Sequence, residues 1–170
     1  MARALLYLVL AATLANSPGA CEKSGSSRSA AADPSAGGSG GAWTSLGATA
    51  CAKYFTREVN AALLPGPGTT KTRSATSCTV ETPGGNIQLS LSSENVVSFN
   101  AGAKFLPDTV ALPGVGDRAL QYADGIVAWK APDRACTILL VGNDGFFKQS
   151  GAQLGQTLGA VCNKLFATNP

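Results

Sequence analysis

Four cysteines, Cys51, Cys78, Cys136 and Cys162, constrain this chain more than any other residues in it. A disulfide holds two backbone points about 6 Å apart, so each bond that forms removes most alternative folds. The successive separations are 27, 58 and 26 residues, which no CxxC-type redox or zinc site uses. The four thiols fall on separate predicted elements: the first helix, the first strand, the last strand and the last helix. Of the three pairings four cysteines allow, Cys51–Cys78 with Cys136–Cys162 joins neighbouring elements and closes short loops. The nested alternative, Cys51–Cys162 with Cys78–Cys136, ties the two terminal helices together and stays open on these grounds. Each bond contributes about 2 to 4 kcal/mol.

Disulfides need an oxidising compartment, and the N-terminus carries an address for one. Arg3 supplies a positive charge, Ala4 to Ala15 a short apolar run, and Asn16 to Ala20 a small, turn-prone segment. The apolar run is about a dozen residues long, whereas a membrane span needs roughly 20, so the segment reads as an export signal. Pro18-Gly19-Ala20-Cys21 resembles the lipobox of bacterial lipoproteins, in which small residues precede a cysteine that is acylated and becomes the mature N-terminus. Gly19, Ala20 and Cys21 fit it, while Pro18 stands where an aliphatic residue is usual. Cys21 is therefore the expected lipid attachment site, and setting it aside leaves an even number of thiols. The membrane is the partner this anchor implies, and the cell envelope the location. Ordinary cleavage nearby, giving a soluble periplasmic or secreted protein, is the alternative.

Residues 1–20 form the signal and residues 21–42 a Gly/Ser-rich tether with nothing bulky to bury. Residues 43–170, from Trp43 onward, suit a single domain. With a net charge of +3 and only 14% charged residues, the chain offers no basic stripe to track phosphates, and nucleic acid is not expected as a partner. It has no histidine, which removes the commonest general base and metal ligand.

Within the domain, Cys51, Phe55, Val59, Ala62 and Leu63 recur at helical steps and predict a helix over 48–64, with Thr56 able to cap a shorter version. Pro65-Gly66-Pro67-Gly68 ends it. Alternation of Cys78 and Val80, then of Ile87, Leu89 and Leu91, predicts a hairpin with one dry face. Ser92 or Ser93 then caps a second helix through Val96, Phe99, Ala103 and Leu106, stopped by Pro107. The segment Leu112 to Ala119 is a turn in which Gly114 and Gly116 suit positive φ, followed by Asp117. Strands follow over 119–122, 126–130 and 135–141, the last apolar on both faces and so central. A final helix over 150–166 places Leu154, Leu158, Val161, Cys162 and Leu165 inward. The expected fold is α+β: an antiparallel sheet of about five strands packed by helices, in the order helix, two strands, helix, three strands, helix.

Few residues suggest chemistry. Gly66-Pro67-Gly68-Thr69-Thr70-Lys71-Thr72 lacks the glycine a phosphate-binding loop needs before its lysine. Gly151, Gly155 and Gly159 point to close packing of the last helix rather than to a membrane dimer. Asp117, Asp124, Asp133 and Asp144 all fall at turns, where aspartate caps local backbone. Tyr122, Trp129, Phe146 and Phe147 are core aromatics first and a ligand groove second. No catalytic residue, cofactor or metal is expected.

Cys51 with Phe55-Thr56-Arg57-Glu58-Val59 and Ala61-Ala62-Leu63, Cys78 at the start of a strand, Pro113-Gly114-Val115-Gly116-Asp117-Arg118-Ala119, and Ile126-Val127-Ala128-Trp129-Lys130 together carry a likeness. Over Ala50 to Val141 the chain resembles a domain-of-unknown-function family of bacterial envelope lipoproteins. The resemblance implies a Cys51–Cys78 bond and an envelope location, and brings no established activity. The expected function is accordingly that of a lipid-anchored, non-enzymatic binding domain for another envelope protein or a small ligand. The alternatives are a soluble inhibitor presenting the loop Leu64 to Thr72, and a carboxylate-based hydrolase.

Overall fold

A computed structural model of the chain describes residues 40–168, so the signal, Cys21 and the tether up to residue 39 lie outside the described residues. Three short helices come first: α1 (Gly40–Ser45), α2 (Gly47–Tyr54) and α3 (Arg57–Leu63). Strands β1 (Thr69–Ser74), β2 (Ser77–Thr82) and β3 (Gly85–Ser93) lead to α4 (Val96–Ala103). Then β4 (Val110–Ala111), β5 (Arg118–Tyr122), β6 (Gly125–Lys130) and β7 (Arg134–Gly142) precede the long α5 (Gly151–Thr168).

The seven strands form one antiparallel sheet in the order β1-β2-β3-β7-β6-β5-β4. Two meanders, β1 to β3 and β4 to β7, are joined where β3 pairs with β7 from Gly85↔Gly142 to Ser93↔Arg134. The central place expected for the apolar 135–141 stretch is the one β7 holds. Because side chains alternate along a strand, one face collects Cys78, Val80, Ile87, Leu89, Leu91, Ile126, Ala128, Cys136, Ile138 and Leu140, all buried. Helix α2 covers β1 to β3 on this face, α1 covers β3, and α5 covers β6 and β7. The main core lies between these layers.

The opposite face is treated differently. Among the described residues, α4 is the helix that reaches it, packing Phe99 onto Trp129 and Ala135 with Val96 and Val127 at the margin. Across β2 and β3 this face is polar, with Ser77, Glu81, Gln88 and Ser90. Across β7, β6 and β5 the register aligns Thr137, Val127 and Leu120 in one row.

The α+β class and antiparallel sheet hold, and the finer expectations need correction. Among the described residues the sheet has seven strands rather than about five, because β1 and β4 join it, and the helices number five rather than three. Every side chain of β1 is exposed, so no apolar alternation marks it. Its Lys71 and Arg73 ion-pair with Glu81 on β2 instead. Inclusion of 69–74 in the sheet also shortens the loop assigned to an inhibitor, and Leu64 at its start is fully buried. The helix expected over 48–64 is two helices. Thr56 takes an extended conformation, ψ 170°, and its hydroxyl accepts the Val59 N–H at 3.4 Å, so it caps α3 and breaks the run. Asn95, not Ser92 or Ser93, caps α4, its Oδ1 accepting the N–H groups of Val97 and Ser98. Helix α1 opens at Gly40, ahead of Trp43, whose indole is fully buried, stacks on Phe166 at 5.4 Å and donates to the Ser92 carbonyl at 3.0 Å. Tertiary packing of that one ring stabilises a helix too short to stand alone.

Candidate functional site

Two disulfides fasten the helical layer to the sheet. Cys51 on α2 bonds Cys78 on β2, and Cys136 on β7 bonds Cys162 on α5, with all four residues no more than 1% exposed. The nested pairing is not the one formed. Each bridge joins one helix to one strand, so the two clamp opposite halves of the inner face.

The turn between β4 and β5 is built by contacts from three elements. Gly114 and Gly116 both have positive φ, 80° and 55°. Asn163 on α5 spans them, donating from Nδ2 to the Gly114 carbonyl at 2.8 Å and accepting the Gly116 N–H at 3.0 Å. Asp117 donates its backbone N–H to the Trp129 carbonyl at 2.9 Å, and its carboxylate accepts the Ala131 N–H at 2.8 Å, just before the cis peptide at Pro132. Lys130 stands 4.0 Å from the other carboxylate oxygen. Asp117 is thus committed to holding two loops together. Arg118, the other ionic side chain of this turn, donates to the Asn100 amide on α4 at 3.1 Å. Arg118, Asn100, Phe99 and Leu120 line a cavity of about 370 Å³ whose rim is the turn itself.

The other singled-out residues do not converge. Asp133 accepts a hydrogen bond from Ser93 at 2.6 Å, and the Asp124 carbonyl caps Leu140 at 2.6 Å, at separate turns. Trp129 is buried and donates to the Glu94 carbonyl at 2.8 Å. Tyr122 is half-buried, and burial followed by the nearby Asp124 charge pushes its phenol above the ordinary value. Phe146 and Phe147 meet edge to face at 5.1 Å against the main core, Phe146 lying over Gly84 and Gly85. These four aromatics therefore form no common groove. Gly155 and Gly159 give α5 its close approach: an added Cβ would stand 2.1 Å from Gln121 Oε1 and 2.5 Å from Val115 Cγ2 respectively. Lys71 of the glycine-rich segment lies in β1 beside Glu81, away from any phosphate cradle.

Among the described residues no three carboxylates or thiols gather as a metal ion would require, and no helix is long and apolar enough to cross a membrane. Sequence reasoning placed Arg118 in the turn but missed Asn163, which clamps it, and the Asn100 that Arg118 meets. Nothing in the spacing of a lone helical asparagine signals the loop it will clamp 47 residues away. Comparison with protein-family models, with curated proteins and with solved structures yields no match.

Proposed function

We propose that this chain is a lipid-anchored cell-envelope protein whose disulfide-locked domain binds another envelope component, without catalysing a reaction. The supporting observation is the sheet face turned away from the main helical layer: α4 covers the end of it at Trp129 and Ala135, beside the Arg118 cavity, and partly exposed Leu120 and Val127 in the next row and Tyr122 and Leu139 in the row after continue the face away from that cover. Such a continuous, half-covered apolar strip beside a rigid turn suits a partner surface. The buried disulfides point to an oxidising compartment outside the cytoplasm, in keeping with export and with Cys21 as the anchor.

The test has two readouts. Mass spectrometry of the membrane fraction is expected to find the mature N-terminus at acylated Cys21, with Cys21→Ser released as soluble protein; an unacylated soluble parent refutes the anchor. A photo-crosslinker at Leu139, on the open face, is expected to give an envelope adduct that the same group at exposed Ala160 on α5 does not. Identical adducts from both positions refute the binding face.

A further inference from the structure

We propose that the cleft between α3 and the Pro65–Gly68 connection into β1 binds a small organic carboxylate with an apolar body. The cleft encloses about 490 Å³. Two cations border it, Arg57 from the first turn of α3 and Lys148 from the segment before α5, and no aspartate or glutamate lines it. Lys148 is held at the rim from both ends: its backbone N–H donates to the Leu63 carbonyl and its Nζ to the Ala61 carbonyl, each at 3.0 Å. An ammonium has three donors, so two remain for a ligand. Arg57 makes no ion pair within 4.0 Å among the described residues. The adjacent Glu58 does not line the cleft; its exposed carboxyl is held below the ordinary range first by the Thr56 hydroxyl, with the Arg57 charge a lesser cause.

Asn60 also lines the cleft, its Nδ2 donating to the Phe55 carbonyl at 3.0 Å, and the remaining wall is apolar and stiff. Leu64 is fully buried, and Pro65 and Pro67 form the wall with φ fixed by their rings. Gly68 presses against β2 so closely that an added Cβ would meet Val80 Cγ1 at 2.3 Å, which holds the end of the connection in place. Two positive charges sharing one cavity repel each other, and an anion between them turns that repulsion into attraction. A carboxylate matches a guanidinium fork beside an ammonium, and the proline wall accepts the apolar body. Since β1 and β4 are the two edges of the sheet, this cleft is remote from the turn and partner face proposed above and stands or falls separately.

The experiment titrates the isotope-labelled full chain with hexanoate, acetate, hexylamine and inorganic phosphate while amide NMR shifts are followed. Hexanoate is expected to move the Gly66, Gly68 and Lys148 amides saturably, acetate to bind about tenfold more weakly or worse for want of apolar contact, and hexylamine not to bind. Arg57→Gln and Lys148→Gln are each expected to weaken hexanoate about tenfold. Arg57→Gln replaces an exposed side chain, so it keeps the fold even where Lys148→Gln disturbs α3. Hexylamine moving the same amides, phosphate binding as tightly as hexanoate, or Arg57→Gln binding hexanoate like the parent overturns the assignment.

Discussion

Gly116→Ala is expected to destabilise the domain far more than Gly114→Ala, although both glycines occupy one turn and both have positive φ. An L side chain in the left-handed region costs about 1–2 kcal/mol at either position. At Gly114 nothing stands within 4 Å of the added carbon, so the backbone term is the whole effect. At Gly116 that carbon would lie 2.5 Å from the Trp129 carbonyl oxygen and 3.0 Å from the Phe166 ring. The same oxygen accepts the Asp117 N–H, and making room strains a hydrogen bond worth about 1 kcal/mol. Phe166 is itself buried and stacked on Trp43, so displacing it adds an overpacking cost of about 1–3 kcal/mol. The total is about 3–6 kcal/mol. With a urea slope of about 2 kcal/mol per molar, the midpoint should fall about 0.5–1 M for Gly114→Ala and about 1.5–3 M for Gly116→Ala. Tryptophan fluorescence reports the transition, because Trp129 and Trp43 both border this region. Gly114→Asn serves as the control, since asparagine tolerates positive φ and should unfold near the parent midpoint. Equal losses at Gly114 and Gly116 would refute the reasoning that contact with the Trp129 carbonyl, and not φ alone, decides the cost.

The double change Cys136→Ser with Cys162→Ser opens a loop of 26 residues, for which chain entropy gives a loss of about 3.5 kcal/mol. Urea unfolding should show it without any change in far-ultraviolet dichroism, and a loss below about 1 kcal/mol would mean the bridge constrains little. Glu81 supplies a pH prediction. The Lys71 ammonium first, then Thr79 and Arg73, hold its carboxyl below the ordinary range. The folded state therefore binds this proton more weakly than the unfolded chain, so the contribution is present above the ordinary carboxylate pKa and disappears as pH falls through the lowered value. Lys71→Met should raise the Glu81 titration midpoint in carboxyl-carbon NMR, and an unmoved midpoint would rule out the ion pair in solution.

What the sequence discloses and what it conceals divide along physical lines. Elements that bury one face write a period into the chain: Ile87, Leu89 and Leu91 announce β3, and Leu154, Leu158, Val161 and Leu165 announce α5. Strand β1 buries nothing, so its ladder to β2 rests on backbone pairing and on Lys71, Arg73 and Glu81, and it reads as loop. Strand β4, of two residues, is too short to carry any period. The break between α2 and α3 was legible as a capping threonine but was outweighed by the apolar spacing running through it. The cavity beside the turn was not legible, because Arg118 and Asn100 are 18 residues apart and meet only once α4 folds across the sheet.

The residues of the turn from Pro113 to Ala119 answer to demands internal to the fold. Gly116 is small because the Trp129 carbonyl stands where a side chain would go. Asp117 is acidic because the Ala131 N–H needs an acceptor and Lys130 stands nearby. Val115 is buried against Gly159 on α5. Each of these demands is set by the fold and would hold whatever the domain binds. Arg118 is the exception, since its guanidinium faces only the Asn100 amide and the cavity. A substitution there should leave the turn intact and, on the proposed binding role, alter partner capture alone, whereas a substitution at Gly116 or Asp117 should lower stability first and affect that capture only through it.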